Sequence, residues 1–189
     1  MKAIRMTGLL PRYLLLTHTH FDHAENATFL QRTSGLKVLV HPLEKSFLEK
    51  GTNTSLQIIL PGPWQIMNRV IPKFIHWFHH EACIPDGMLE PGHLPADFPS
   101  GIRIMHTPGH SPGSVTVIID NEVALTGDLM FGVFAISTIP PFGDDPRKMI
   151  ESWEALIASG CSYFLPGHGS VKTLEQVKSS LVKLKRSLK

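Results

Sequence analysis

Cysteine is scarce in this 189-residue chain, with only Cys83 and Cys161, far apart and in no C-x-x-C pair. That argues against a disulfide-stapled scaffold or a cysteine-based zinc ribbon and predicts two reduced thiols, with a single Cys83–Cys161 bridge as the alternative. Long hydrophobic runs are missing too. No stretch approaches the ~20 apolar residues a membrane-crossing helix needs, so no membrane role is expected. Charge of one sign is also lacking: Lys and Arg number 18, Asp and Glu 16, a formal net charge of +2. Such a balance gives no general pull toward nucleic acid or acidic lipid. The basic residues near the C-terminus, Lys178, Lys183, Lys185, Arg186 and Lys189, read as the solvated face of a last helix. There is no internal repeat or low-complexity linker, and the length suits one domain over residues 1–189.

Histidine, by contrast, is plentiful at 11 residues, and three of these crowd into His18-Thr19-His20-Phe21-Asp22-His23. An apolar run, Tyr13-Leu14-Leu15-Leu16, leads into them. At an extended strand end, alternate side chains share a side, so His18 and His20 are predicted to grip one metal ion. A turn into a helix would redirect Asp22 and His23 toward a second ion. Imidazole with carboxylate is a borderline-soft donor set suited to Zn²⁺, and Fe and Mn fit it as well. Because the basic and apolar residues before position 17 feed directly into this string, no cleaved leader is expected, and the expected location is cytoplasmic.

Three later segments offer further donors beside glycine at strand ends. Pro108-Gly109-His110 with Pro112-Gly113 forms a tight loop after a strand. Thr126-Gly127-Asp128 ends another strand, where one carboxylate could bridge two cations. Pro166-Gly167-His168-Gly169 ends a third. Strands are predicted over 13–17, 37–41, 101–107, 114–119, 122–126 and 163–165, with a tight turn at Asp120-Asn121. Helices are predicted over 22–32, over 43–49 after Pro42, from Asp144-Asp145-Pro146 onward, and from the Thr173–Gln176 capping box onward. Residues 81–100 read as loop. Residues 64–80 read as an aromatic helical insertion broken at Pro72, either core or one wall of a cleft. His76, His79 and His80 read as a packed or exposed cluster rather than a metal site. His106 is a candidate for orienting a neighbouring ligand.

This combination of segments resembles the metallo-β-lactamase superfamily, in the glyoxalase II-like general branch, from about Leu10 to Gly169. The resemblance implies an α/β fold, the four-layer αββα sandwich. It assigns His18, His20 and His110 to one metal and Asp22, His23 and His168 to a second, with Asp128 bridging them. It implies two Zn²⁺ per chain and a dinuclear hydrolase that uses a metal-bridging hydroxide on an ester, thioester or lactone, with Asp22 and Asp128 as the catalytic carboxylates. Only 17 residues precede His18, whereas family members usually begin with several strands ending in an Asp-x-Gly turn. The N-terminal sheet is therefore expected to be short, and pairing of its edge with a second copy would give a homodimer.

Histidine at position 20, where the di-iron flavoprotein oxidoreductases typically carry glutamate, speaks against oxygen reduction. Leu129-Met130-Phe131-Gly132 does not match the Cys-Gly-Arg feature of the persulfide dioxygenases. Gly169 stands where glyoxalase II enzymes usually have glutamate. Apolar residues over 64–78 and 131–141 point to a small-molecule substrate with an apolar portion. Two alternatives remain: a metal-binding but catalytically idle member, and an RNA- or phosphodiester-cleaving nuclease. No basic, aromatic-interleaved stripe favours the nuclease.

Overall fold

The structure is a computed structural model that describes residues 6, 8–54, 57–59, 68, 69 and 77–188. Most of the predicted 64–80 insertion lies outside the described residues, as does His76. The short parallel sheet comprises β1 (Tyr13–Leu15), β2 (Lys37–Val40) and β3 (Gly87–Met88), in that order. Alternation within it splits two apolar groups. Val38 and Val40 face outward onto Ala24, Ala27 and Leu48, while Leu39 faces inward.

The outward group is covered by three short helices: α1 (Phe21–Ala24), α2 (Ala27–Ser34) and α3 (Lys45–Lys50). The single helix predicted over 22–32 is thus two, interrupted at Glu25 and Asn26. The second ends at Gly35, whose φ of 64° is a left-handed C-cap. Pro42 opens a 3₁₀ turn, Pro42–Glu44, ahead of α3, with His41 Nδ1 accepting from the Leu43 amide. The strand β3 falls in the segment read as loop; two residues carry no detectable period.

A second, five-stranded sheet runs β4 (Ile102–His106), β5 (Val115–Ile119), β6 (Val123–Gly127), β7 (Tyr163–Pro166) and β8 (Lys172–Thr173). Asp120 and Asn121 turn β5 into β6 with φ of 51° and 55°, the both-positive geometry that suits a tight two-residue hairpin. The β6–β7 pair is parallel and the other three are antiparallel. Its outer face buries Ile118, Ala124 and Phe164 under two long helices, α4 (Pro146–Ala158) and α5 (Leu174–Ser187). Those helices contribute Met149, Trp153, Leu156, Val177, Leu181 and Leu184. Both starts follow the predicted chemistry. Asp145 caps α4 by accepting from the Arg147 and Lys148 amides, and Thr173 and Gln176 form a reciprocal capping box on α5.

Between the sheets lies a third apolar group, Leu39, Leu89, Ile104, Val115 and Val117. Helices, sheet, sheet and helices therefore stack as four layers, each interface sealed by its own cluster. Cys83 and Cys161 are both free and buried. Among the described residues no helix is long and apolar enough to cross a membrane.

Candidate metal centre

One edge of the two-sheet stack collects the predicted donors. β6 and β7 run parallel with Gly127 opposite Pro166, so Asp128 and His168 leave the sheet side by side. β4, two antiparallel pairings from β6, runs the same way and delivers the His110 loop to that edge. The end of β1 arrives from the other sheet, tied there by the Val115 amide donating to the Thr17 carbonyl at 2.9 Å. Helix α1 begins at Phe21, directly after His20, and brings Asp22 and His23 to the same edge, with the His23 ring 4.1 Å from that of His18.

All seven predicted side chains meet here, in three overlapping groups whose donor atoms lie within 4.8 Å of one another: His18, His20 and His110; His18, His23 and Asp128; Asp22, His23 and His168. Asp128 lies beside His18 and also against both second-cluster imidazoles. Its Oδ1 is 3.3 Å from His23 Nε2 and its Oδ2 is 3.4 Å from His168 Nε2, while His168 Nε2 is 3.1 Å from Asp22 Oδ2. His18, His20 and His110 are buried, at 1%, 3% and 2% exposure. The Asp22 side chain is 36% exposed.

The arrangement fits a cation. His18 Nε2, His23 Nε2 and Asp128 Oδ1 are all buried. His23 Nε2 and Asp128 Oδ1 are an ion pair at 3.3 Å, but His18 Nε2 makes no hydrogen bond. A buried polar atom left unpaired costs roughly 1–3 kcal/mol, so the group calls for a shared ligand. His110 Nδ1 lies 3.1 Å from the Phe142 carbonyl, which can only accept, so this nitrogen carries the proton. Its Nε2 lone pair then faces His20 Nδ1 at 2.9 Å, while His20 Nε2 is held 2.8 Å from Thr54 Oγ1. Fixing the outer nitrogen of each ring is how metal-binding histidines are oriented.

Burial, reinforced by the neighbouring His110, His20, His23 and His168, holds His18 well below the usual imidazole range. Burial also lowers His110, despite the Asp128 charge. His23 moves the other way: burial pushes it down, but the Asp128 contact and the Asp22 charge outweigh that and raise it. For Asp128, burial pushes the carboxyl up and the surrounding His23, His110 and His168 bring it below its ordinary value.

The groups that hold the ligands carried little signal in the sequence. Thr54 and the Phe142 carbonyl lie far along the chain from the rings they hold, as does Asn53 from the Phe21 amide that its Oδ1 accepts at 2.6 Å. Glu44 was equally hidden, since on the 3₁₀ turn it reads as an ordinary surface charge. Its carboxylate is in fact wholly buried, bonded to Thr19, Ser111 and Gly113. His106 does not touch the cluster. It reaches the Pro112 carbonyl at 2.9 Å and stacks on His41 at 4.3 Å and 8°, bracing the His110 loop. His79 is exposed, and His80 is buried with Nδ1 at 3.0 Å from the Glu81 carbonyl.

A cavity of about 240 Å³ opens over the cluster, lined by Asp22, His110, Asp128, His168, Phe131, Pro140, Pro141 and Phe142. Four donor-bearing side chains form its floor and four apolar ones its wall.

A four-layer αββα sandwich with histidines and carboxylates gathered at one edge defines a metallo-hydrolase type of architecture. The sequence profile of the metallo-beta-lactamase superfamily matches residues 1–168, and the chain belongs to that superfamily. The hydroxyacylglutathione hydrolase GloC of Haemophilus influenzae is 30% identical over 182 residues, covering 89% of this chain and 74% of that protein. Among solved structures, the B3 metallo-beta-lactamase BLEG-1 aligns with a TM-score of 0.70 at 24% identity, covering 93% of this chain and 78% of that one. TTHA1623 in a di-iron-bound form aligns with a TM-score of 0.67 at 26% identity, covering 95% and 80%.

Proposed function

We propose that this chain is a dinuclear zinc-dependent hydrolase of a small ester, thioester or lactone with an apolar portion. The observation that carries the proposal is the convergence of buried donor atoms on His18, His23 and Asp128, with His18 Nε2 left without a hydrogen bond. His18, His20 and His110 would hold one ion and Asp22, His23 and His168 the other, with Asp128 shared between them. Iron fits the same donors, and the TTHA1623 structure was obtained with two of them. When bound, such a pair supplies Lewis acidity toward the substrate carbonyl and lowers the pKa of water toward neutrality.

The chain's own residues do the rest. Phe131, Pro140, Pro141 and Phe142 form a dry wall against which an acyl chain can pack, leaving its carbonyl over the donor floor. Phe131 is tied to the site through its ring contact with His168, centroids 5.6 Å apart. Asp22 is the more exposed of the two carboxylates. Its first duty is to hold an ion. Its exposed position also suits its second oxygen, the one not turned to His23 and His168, to accept the proton released by the attacking water and pass it to the departing oxygen or sulfur. Among the described residues lining the cavity there is no Lys or Arg to grip a phosphodiester backbone, which favours the acyl substrate over RNA. The name of the GloC relative, a hydrolase of hydroxyacylglutathione, favours the thioester within that class.

The test is metal analysis of the purified protein combined with ester, thioester, lactone and phosphodiester substrates, before and after chelation and zinc reloading. Two ions per chain with chelator-sensitive acyl hydrolysis is the expected result. Metal-independent turnover, or cleavage of phosphodiesters alone, would overturn the assignment.

A further inference from the structure

Glu44 is wholly buried, yet it belongs to neither ion-binding group and forms no ion pair with any described residue. Its Oε2 accepts from the Thr19 amide at 3.0 Å and the Thr19 hydroxyl at 2.6 Å. Its Oε1 accepts from the Ser111 hydroxyl at 2.7 Å and the Gly113 amide at 2.9 Å. Thr19 stands between His18 and His20, and Ser111 follows His110. One carboxylate therefore ties together the two loops that carry three imidazoles, one loop from each sheet. Gly113 makes the approach feasible, because a Cβ there would lie 2.5 Å from Glu44 Cγ.

Four hydrogen bonds solvate this carboxylate but do not neutralise it, and a buried charge without a counter-charge is costly. The imidazoles of His18, His20 and His110 are neutral as ligands. A divalent ion among them would keep excess positive charge even with the Asp128 carboxylate shared between the two ions. We propose that Glu44 is a positioning residue that clamps the His18–His20 and His110 loops together and supplies the negative charge balancing an ion held by those three histidines. This rests on reading the three-histidine cluster as a metal site.

Glu44→Gln separates the two contributions from simple packing. It keeps the volume but turns one acceptor into a donor. The Thr19 and Ser111 hydroxyls can rotate to accept from it, whereas the Thr19 and Gly113 amides cannot. At least one loop therefore loses its backbone bond, and the charge is gone.

Metal-free wild-type and E44Q proteins would be titrated with Zn²⁺ against a competing chromophoric chelator and melted with and without Zn²⁺. The wild type is expected to bind two ions. E44Q is expected to bind one of them about 10–100-fold more weakly, the range typical of lost ligand-orienting contacts. The zinc-induced rise in its Tm should shrink accordingly. A merely structural role would lower the Tm of metal-free and loaded forms alike and leave both affinities unchanged, which overturns the proposal. Should E44Q fail to fold, Glu44→Asp keeps the charge but is one methylene too short to reach both loops. It too must weaken one ion, and wild-type affinities in that variant refute the clamp. Wild-type protein that binds no zinc would instead refute the metal reading itself, and Glu44's role with it.

Discussion

Gly167 offers a sharp steric test of the second ion-binding group. A Cβ added there would lie 2.5 Å from Asp128 Oδ1 and 2.6 Å from His23 Cε1, with His23 Nε2 at 3.4 Å. Comfortable contacts begin near ~3.5 Å, so each of the two closer neighbours must retreat by about 1 Å. Metal sites tolerate about 0.2 Å in ligand distance, and a working constellation about 0.5 Å. The required shift exceeds both. The backbone at Gly167 has no positive φ, unlike Gly169 at 90°, so strain in the main chain does not enter. Gly167→Ala should therefore fold, at an overpacking cost of roughly 1–3 kcal/mol. It should retain one ion on His18, His20 and His110 and lose most affinity for the other. Metal content by elemental analysis after dialysis, with kcat/KM on the best acyl substrate, reads both effects. The expected values are near one ion per chain and a fall of at least about 100-fold, the loss a misplacement of about 1 Å can cause. A Gly167→Ala protein with two tightly held ions and unchanged kcat/KM would refute the reasoning.

Three further outcomes follow from the same geometry. Phe131→Ala removes the apolar wall but no donor, so KM for acyl substrates should rise more than kcat falls; a fall in kcat alone would remove Phe131 from substrate binding. Trp153 is fully buried and donates from Nε1 to the Leu129 carbonyl at 2.9 Å, one residue past Asp128. Trp153→Phe keeps most of the volume but orphans that carbonyl, so chemical denaturation should show a loss of about 1–3 kcal/mol. In the metal-free protein, His18 and His110 are held below their ordinary value, so their folded forms resist protons that the unfolded chain accepts. Stability should fall as pH drops from about 7.5 through the ordinary imidazole value toward about 5.5, with the raised His23 offsetting part of the loss. Denaturation midpoints that are flat or rising over that window would contradict it.

The site was more legible in the chain than the machinery that holds it. His18 and His20 follow the first strand, and His110, Asp128 and His168 follow later strands beside glycines; strand ends are what local alternation and punctuation reveal well. Since β4, β6 and β7 run the same way, their ends meet at one edge, and the seven side chains drawn from the sequence do converge there. Sequence pattern failed where a side chain's neighbour is set only by the packing of one layer on another. The helix predicted over 22–32 breaks at Glu25 and Asn26; Asp22 and His23 lie in the donor cluster, and Ala24 and Ala27 on either side of the break both pack on the first sheet. Glu44 reads locally as solvent-exposed and Thr54 as loop, yet both are buried by contacts across 25 to 69 residues of chain. A donor can be recognised by its residue type and its neighbours in sequence. The atom that fixes a ring's tautomer or clamps its loop needs only the right place in space, and almost any polar residue can occupy it. The chemistry of this centre is therefore written in short motifs, and its precision in long-range contacts that carry no motif.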